Sequence, residues 1–353
     1  MHINYIKYKD KTKTKALFIL LILLIALYAV AQYFESNEVL ANKIVFEKET
    51  KDLEFVLGGE SCGIKLLAAG VLVVEVDNPN IDITVSDIIL KIDETNIDSN
   101  SELIEYINQD KVKGKQVVLT VNSGSKIKKV KITPTYNKES GKYELGLWVK
   151  DSSAGVGMIT FYELSNNYFA ALGHGITETS KNIVLPIHSG AIVKSKITSI
   201  NRGYPKEPGD IRGTIYKEVY GQIRKNTING IYGVLENTEL LNKKQTIKVA
   251  YKNEIKTGNA QIYCTLEDNE VVAYDIEIKN VLNNSGSNKN MIIQVTDDKL
   301  LEKTGGIVQG MSGSPIVQDG KLVGAVTHVF LNDPTKGYGV FVENMIEDMM
   351  SME

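Results

Sequence analysis

The feature that most constrains the fold of this sequence is a long series of short apolar segments between Leu145 and Phe341. Glycine, asparagine and aspartate residues, which suit tight turns, separate these segments. Long helical periodicity is absent from the region until Val342–Met350, at the end of the chain. Short strands with frequent turns are typical of a β-barrel or a β-sandwich. We therefore predict a mainly β domain over residues 145–353.

A smaller region with a different pattern precedes this domain. It has the apolar strand Gly70–Val76, a second strand within Val85–Asp93, and an amphipathic helix at Ser101–Asn108 whose first residue suits an N-cap. Two further strands follow at Gln116–Val121 and Lys126–Thr133, with hairpin-type residues between them.

This order of elements resembles a PDZ domain over residues 53–135. The most specific match is Asp87-Ile88-Ile89-Leu90, with Ser86 where that family usually has glycine. The resemblance implies that Gly58 and Gly59 form the loop that binds a peptide carboxylate. The alternative is a PDZ-like fold that binds no free C-terminus and serves as a docking or inhibitory module.

The N-terminus predicts a membrane anchor. Five lysines in the first fifteen residues precede the uncharged run Ala16–Phe34, which is long enough to cross a hydrocarbon layer of about 30 Å. The basic flank should stay cytoplasmic, which places the rest of the chain on the other side of the membrane. Ala29-Val30-Ala31 could instead be a signal-peptide cleavage site, so a removed secretory signal is the alternative to a retained anchor.

Composition excludes some classes of function. The formal net charge of -3 gives no global reason to expect nucleic-acid binding. Cys62 and Cys264 show neither metal-ligand spacing nor a disulfide framework, so we expect two packing thiols. No metal or organic cofactor is suggested.

The glycine-rich stretch Gly305–Pro315 has a serine at its centre. Glycine lets such a loop turn tightly and direct several amides to one point, which a nucleophilic serine requires. The pattern Gly-x-Ser-Gly-x-Pro resembles the nucleophile loop of chymotrypsin-like proteases. That resemblance makes Ser312 the nucleophile and the amides of Gly310 and Ser312 the oxyanion hole.

Two other interpretations of this loop remain open. The nucleophile elbow of α/β-hydrolases is Gly-x-Ser-x-Gly, and Ser314 breaks that pattern at its last position. The other interpretation is an ordinary turn between two strands.

A histidine that could serve as the base lies upstream, in Phe169–Ile176. His174 follows a strand of small residues and stands between two glycines, where a histidine can also be an ordinary turn residue. The segment resembles the way in which the chymotrypsin-like fold presents its histidine, and serine chemistry needs such a base. His328 is predicted to line the pocket or to be structural.

The segments Thr296–Pro315, Gly324–Val329 and Asn332–Pro334 resemble the stage IV sporulation protein B family of membrane-associated serine peptidases. The resemblance implies a triad of His174, Asp297 and Ser312. Asp298, Asp275 and Asp210 remain alternative acids, because Asp297 lies unusually close in sequence to the serine.

The same resemblance implies a signalling role at the forespore membrane, in the intermembrane space. The peptidase would cleave itself and then the extracytoplasmic part of a membrane-anchored regulator of an intramembrane protease, which activates a late sigma factor. The alternative hypothesis is a non-catalytic PDZ-bearing scaffold that uses the barrel only for binding. The predicted organisation is a basic cytoplasmic tail (residues 1–15), an anchor or uncleaved signal (16–34), a stalk (35–52), a PDZ-like domain (53–135), a linker (136–144) and a chymotrypsin-like peptidase domain (145–353).

Overall fold

The computed structural model describes residues 15–28, 44–46, 48, 50, 53–77, 80–124, 126–178, 183–241, 244, 246–267, 270–282 and 287–352. The chain forms two compact units, Met1–Leu53 and Glu54–Glu353. The strands of the second unit are β1 Phe55–Leu57, β2 Ser61–Val76, β3 Ile88–Ile92, β4 Thr95–Asn96, β5 Val117–Ser123, β6 Lys126–Ile132, β7 Thr135–Asn137, β8 Lys142–Glu144, β9 Leu147–Glu163, β10 Tyr168–Ala171, β11 Thr177–Glu178, β12 Ile183–Val184, β13 Ile187–Asn201, β14 Asp210–Thr227, β15 Gly230–Leu235, β16 Thr246–Val249, β17 Gly258–Thr265, β18 Val271–Val281, β19 Met291–Val295, β20 Pro315–Gln318, β21 Lys321–Phe330 and β22 Asp333–Phe341. Its α-helices are α1 Asn100–Ile107, α2 Asp298–Thr304 and α3 Val342–Met350, and short 3-10 helices lie at Thr238–Leu241 and Lys252–Glu254.

The first unit contains a helical segment at residues 15–28, whose large apolar side chains are exposed. Among the described residues, no helix has both the length and the hydrophobicity that a membrane crossing requires. Residues 29–34 of the predicted anchor lie outside the described part of the chain. The anchor therefore stays a prediction.

Two long antiparallel strands, β2 and β9, form the base of a first β-barrel. Residue Ser61 lies opposite Met158 at one end of the pair, and Val76 lies opposite Leu147 at the other end. Strands β13, β14, β15 and β10 then follow around the barrel, each hydrogen-bonded to the last, and β10 returns to β9. Closure removes exposed sheet edges and buries an apolar core.

A second barrel follows in the chain. Strands β21, β20, β17, β18, β19 and β22 pair in that order, and β22 closes the ring against β21. Its core is a separate apolar cluster. Helix α3 spans Val342–Met350, the residues over which the sequence predicts a terminal helix. The prediction of a mainly β chain with a β-barrel domain is confirmed.

The PDZ-like region contains the far end of β2, strands β3 to β6 and helix α1, around a third apolar cluster. Helix α1 begins earlier than the sequence indicated: its N-cap is Ser99, which accepts a hydrogen bond from the Glu102 amide at 3.2 Å, so Ser101 lies inside the helix. Serine followed three residues later by glutamate is the spacing that favours this start.

Strand β9 joins this region to the first barrel. The sequence predicts a series of short strands from Leu145 onward, whereas the structure begins this domain with one long strand, Leu147–Glu163. The reason is its partner: β2 is long enough to bond with β9 in both regions.

Candidate active site

His174 is presented by a strained turn at the end of β10. Leu172 and Gly173 both have left-handed backbones, with φ of 71° and 65°. A bulky residue such as leucine adopts that conformation at a cost, which surrounding structure must offset. The buried Leu172 side chain packs in the core of the first barrel, and its amide donates to the Met158 carbonyl at 3.2 Å. The turn therefore fixes the position of the His174 backbone.

Ser312 reaches the same place from the second barrel, on the loop that leads into β20. The Ser312 carbonyl accepts from the Met158 amide at 2.9 Å, and the Gly313 carbonyl accepts from the Thr160 hydroxyl at 2.8 Å. Both partners belong to β9 of the first barrel. The serine loop is thus bonded across the junction between the two barrels.

Gly313 allows this close approach. Its φ is 92°, and a Cβ atom added there would lie 2.1 Å from the Met158 carbonyl oxygen. We expect Gly313→Ala to destabilise the chain by about 2–4 kcal/mol more than Gly320→Ala does, because only the first variant adds a backbone clash to left-handed strain. Gly320 is the matched control, since its φ is 74° and no atom lies within 4 Å of its added Cβ. Urea denaturation measures the difference, and equal losses would contradict the clash.

The two barrels enclose a cleft of about 560 Å³ in which His174 and Ser312 both lie. None of the residues that line it is acidic, and Lys289 is its one lysine or arginine. The lining residues are Ile64, Ala154, Gly155, Val156, Leu172, His174, Ile176, Lys289, Ile307, Val308, Gln309, Gly310, Ser312, Thr327, His328, Val329, Leu331 and Tyr338. The cleft can therefore take an extended, largely apolar segment of chain beside the two candidate catalytic side chains.

The Ser312 hydroxyl is held in a resting position. It donates to the Thr327 carbonyl oxygen at 2.8 Å, and no hydrogen bond joins it to His174 in the described structure. Thr327 lies where the register of β21 with β22 shifts, between Val326 and Val329. For Ser312 to act as a nucleophile with His174 as base, the hydroxyl must rotate away from Thr327 and toward the imidazole.

The His174 ring carries the correct lone pair for a general base. Its Nδ1 lies 2.8 Å from the Gly175 carbonyl oxygen, so a neutral ring donates its Nδ1 proton there and leaves Nε2 as an acceptor. In a serine triad a carboxylate fixes this tautomer. Here a backbone carbonyl does so.

Burial lowers the pKa of His174, although the Gly175 hydrogen bond opposes the shift. The His328 ring lies 4.9 Å from the His174 ring, centroid to centroid. Burial, then the nearby His174 and Lys289, lowers the pKa of His328 to about 4. Both rings are therefore neutral at pH 7, as a proton acceptor must be. His328 lines the pocket, as the sequence predicted.

We expect kcat/KM for a peptide substrate to depend on neutral His174. The midpoint of the acid limb should lie below the ordinary histidine pKa of about 6.5, because burial lowers the pKa of His174. Activity is present above that pKa and is lost as pH falls through it. A pH–rate profile with a substrate that does not titrate between pH 4 and 8 measures the midpoint. A midpoint above 7 would contradict this environment for His174.

Two amides are available for an oxyanion. The Gly310 and Ser312 amides donate to no acceptor within the described residues, whereas the neighbouring amides of Gln309, Met311 and Gly313 all do. Gly310 has a φ of 97°, which glycine adopts without the usual steric cost. Their use as an oxyanion hole stays a prediction from the sequence.

The structure does not bring Asp297 to this cleft. Its carboxylate caps α2, accepting from the Leu300 amide at 2.9 Å and from the Asp275 amide at 3.4 Å. Lys289, just before β19, lines the cleft, whereas Asp297 follows the opposite end of that strand. A strand of this length spans about 17 Å, which accounts for the separation.

The alternative acids do not line the cleft either. The Asp210 carboxylate bonds to Asn201 and Arg212, and the Asp275 carboxylate accepts from Gln261. Asp298 is exposed in the first turn of α2.

The predicted carboxylate loop is also engaged elsewhere. The Gly58 amide donates to the Thr160 carbonyl at 3.0 Å, and the Gly59 amide donates to the Ile159 carbonyl at 2.7 Å. Both glycines are buried against β9 of the first barrel. These amides can receive a peptide carboxylate only if both bonds open.

Sequence reasoning missed Thr327 and Leu172. The carbonyl of Thr327 accepts from the Ser312 hydroxyl, and a backbone acceptor leaves no signal in a sequence. The left-handed turn at Leu172 was hidden because leucine seldom adopts it. Helix α2 could have been found from Asp297, a good N-cap, and from Gly305, which is its left-handed C-cap.

Comparison with known proteins adds two family matches. The family model described as SpoIVB peptidase S55 matches residues 141–346, and the model described as a PDZ domain matches residues 44–133. None of the curated proteins is similar enough to this sequence to count as a match.

Several solved structures are similar to part of this chain. The PDZ domain of the SdrC-like protein Lmo2051 from Listeria monocytogenes is 27% identical over 23% of this chain and 87% of that one, with a TM-score of 0.21. The HtrA-type protease AlgW with a tripeptide is 13% identical over 57% of this chain and 56% of that one, with a TM-score of 0.35. The Rv3671c protease from M. tuberculosis, in its active form, is 12% identical over 56% of this chain and 74% of that one, with a TM-score of 0.32. This chain therefore spans little more than half the length of the HtrA-type protease that it matches.

Proposed function

Because this chain belongs to the SpoIVB peptidase S55 family, we propose that it is a serine endopeptidase with Ser312 as nucleophile and His174 as general base. The observation that carries the proposal is the shared cleft: His174, Ser312 and Gly310 all line one space between the barrels, and the Gly310 and Ser312 amides donate to no acceptor within the described residues. Acyl transfer to serine needs those three kinds of group.

In the first half of the reaction the Ser312 hydroxyl leaves the Thr327 carbonyl and donates to His174 Nε2. The oxygen attacks the carbonyl carbon of the scissile peptide bond as its proton passes to the imidazole. The Gly310 and Ser312 amides stabilise the negative oxygen of the tetrahedral intermediate, and each donor of this kind is worth about 10²–10³ in rate. His174 then gives its proton to the departing amine, leaving an acyl-serine.

In the second half a water molecule replaces the amine. His174 removes one of its protons as the water oxygen attacks the acyl carbon, and the same two amides stabilise the second intermediate. When this intermediate breaks down, the serine oxygen takes the proton from His174. The enzyme is regenerated, and the products are a carboxylic acid and an amine.

The family resemblance assigns the third role to Asp297. That assignment requires the His174 Nδ1 proton to exchange the Gly175 carbonyl for a carboxylate, and requires the segment between β19 and the serine loop to rearrange. The described arrangement is then a resting state, consistent with a serine whose hydroxyl is bonded to Thr327.

The same resemblance supports a wider role. We place the peptidase on the extracytoplasmic side of a forespore membrane, tethered by residues 16–34. There it cleaves itself, and then the extracytoplasmic segment of a membrane-anchored regulator of an intramembrane protease that activates a late sigma factor. A PDZ domain within residues 44–133 suits such a protein substrate.

A fluorophosphonate probe tests the chemistry directly on the full-length chain. We expect covalent labelling of Ser312, together with self-cleavage fragments that mass spectrometry detects in the wild type and not in Ser312→Ala. Identical fragments from both chains, with no labelled serine, would favour the non-catalytic scaffold.

A further inference from the structure

The serine loop is bonded to the first barrel at a second place, the hairpin between β13 and β14. The Gln309 amide donates to the Gly209 carbonyl at 2.9 Å, and the Gln309 carbonyl accepts from the Ile211 amide at 2.8 Å. Asp210 and Gln309 form an isolated parallel bridge as a result. The hairpin therefore engages both backbone polar groups of Gln309.

The bond from Ile211 fixes the orientation of the peptide group that joins Gln309 to Gly310. No cis peptide bond occurs among the described residues, so the carbonyl and the amide of this group point in opposite directions. With the Gln309 carbonyl bonded to Ile211, the Gly310 amide points away from β14, and it donates to no acceptor in the described part of the chain. Gly310 itself lines the cleft.

Ile211 is a firmly held donor. Although β14 belongs to the first barrel, the Ile211 side chain is buried in the apolar core of the second barrel, together with Val308 and Met311 of the serine loop. A Cβ atom added to Gly310 would lie 3.0 Å from the Ile211 Cβ atom, so the two backbones pack closely. Turning the peptide group over would leave the Ile211 amide buried without an acceptor, which is costly.

The end of the hairpin is also bonded to the second barrel. The Gly203 amide donates to the Thr304 carbonyl at 2.8 Å, at the end of α2. The Lys206 amide donates to the Leu331 carbonyl at 2.6 Å, in the turn between β21 and β22. The hairpin therefore reaches the serine loop from a position that the second barrel itself fixes.

We propose that Ile211 is a positioning residue for the oxyanion hole. Its backbone N–H holds the Gln309–Gly310 peptide group in the orientation that presents the Gly310 amide to the oxyanion of the substrate. This inference rests on the proposed serine peptidase function. A donor that is already oriented needs no rearrangement when negative charge develops. Ile211 acts through Gly310, because it is not among the residues that line the cleft.

The test compares Ile211→Pro with Ile211→Val in the full-length chain, kept in detergent. Proline removes the N–H donor, whereas valine keeps it and also has a smaller side chain than isoleucine. Asp210 lies in a strand, and an extended residue is what a following proline requires. A difference between the two variants therefore reports the lost donor.

The probe is a fluorophosphonate, whose phosphoryl oxygen occupies the position of the oxyanion. In the labelling step the Ser312 oxygen bonds to phosphorus, the P–F bond breaks, fluoride leaves and His174 takes the serine proton. Intact-protein mass spectrometry follows the rate. We expect Ile211→Pro to be labelled about 10²-fold more slowly than Ile211→Val, because one oxyanion donor is worth about 10²–10³ in rate.

A pH profile of labelling separates positioning from general damage. The plateau should fall only in Ile211→Pro, whereas the midpoint set by His174 should be the same in both variants, because the base is unchanged. Urea denaturation checks that both chains are folded. Equal plateaus, or a midpoint that moves by more than about one pH unit in the proline variant, would overturn the proposal. A wild-type chain that is not labelled would instead contradict the peptidase function.

A second pair of variants tests the same support if Ile211→Pro does not fold. A Cβ atom added at Gly209 would lie 2.3 Å from the Asn201 carbonyl oxygen, so Gly209→Ala must shift the carbonyl that accepts from Gln309. Gly203→Ala is the matched control in the same hairpin, since no atom lies closer than 3.1 Å to its added Cβ. We expect Gly209→Ala to be labelled about tenfold more slowly than Gly203→Ala. Equal rates would overturn the proposal.

Discussion

Ser312→Ala is expected to lower kcat for peptide hydrolysis by about 10⁶, the scale on which loss of a serine nucleophile acts. In the proposed mechanism the Ser312 oxygen forms the acyl intermediate, and the serine loop is held in the cleft by backbone hydrogen bonds to Met158 and Val326. Steady-state hydrolysis of a peptide substrate, followed by chromatography of the products, measures the loss.

The double variant adds a sharper check. His174→Ala alone should cost about as much as Ser312→Ala, and the two together little more, because residues that act as one unit are not additive. Ser199→Ala is a matched control, an exposed serine on β13 of the first barrel. Losses that simply multiply would mean that His174 and Ser312 do not act in one step, and the proposed mechanism would fail.

Asp297→Asn is expected to lower kcat by about 10⁴ if the family resemblance assigns the triad acid correctly, because the variant cannot hold the imidazolium that forms during the reaction. The variant separates catalysis from capping. Asparagine is as good an N-cap as aspartate, so the bond to the Leu300 amide and the stability of α2 should be retained. Kinetics and urea denaturation on one preparation give both quantities.

Two further variants help to interpret the result for Asp297→Asn. Asp297→Ala loses the cap as well, which costs about 0.5–2 kcal/mol, so its loss of stability should exceed that of the asparagine variant. Asp298→Asn is the matched control next in sequence, with an exposed carboxylate on the same helix. If Asp297→Asn keeps kcat within about tenfold of the wild type, the residue caps a helix and orients nothing, and the Gly175 carbonyl is the partner that fixes the His174 tautomer.

Some features of the site could be predicted from the sequence because they depend on neighbouring residues. Glycines at 310 and 313 have left-handed backbones, and these permit the turn that presents the serine. The terminal helix Val342–Met350 follows its apolar period, and the PDZ-like region and the family both follow from contiguous motifs. Such features depend on residues near one another in the chain.

Other parts of the site depended on distant segments meeting. The Gly58 amide and the Thr160 carbonyl are far apart in sequence. No residue near Gly58 and Gly59 therefore indicated that their amides would donate to carbonyls of β9. The resting bond from Ser312 to the Thr327 carbonyl likewise involves a backbone atom that every residue possesses.

What the sequence by itself determined is the kind of chain this is: its β content, its peptidase family, and the histidine and serine that its motifs single out. What the tertiary structure alone decided is which of those groups meet. It placed His174 and Ser312 in one cleft and left Asp297 at the end of a helix beyond β19. The physical reason is that side-chain chemistry and turn preference are local properties of the sequence. Strand register, in contrast, depends on how the two closed barrels pack, and it sets the distances between residues on different strands.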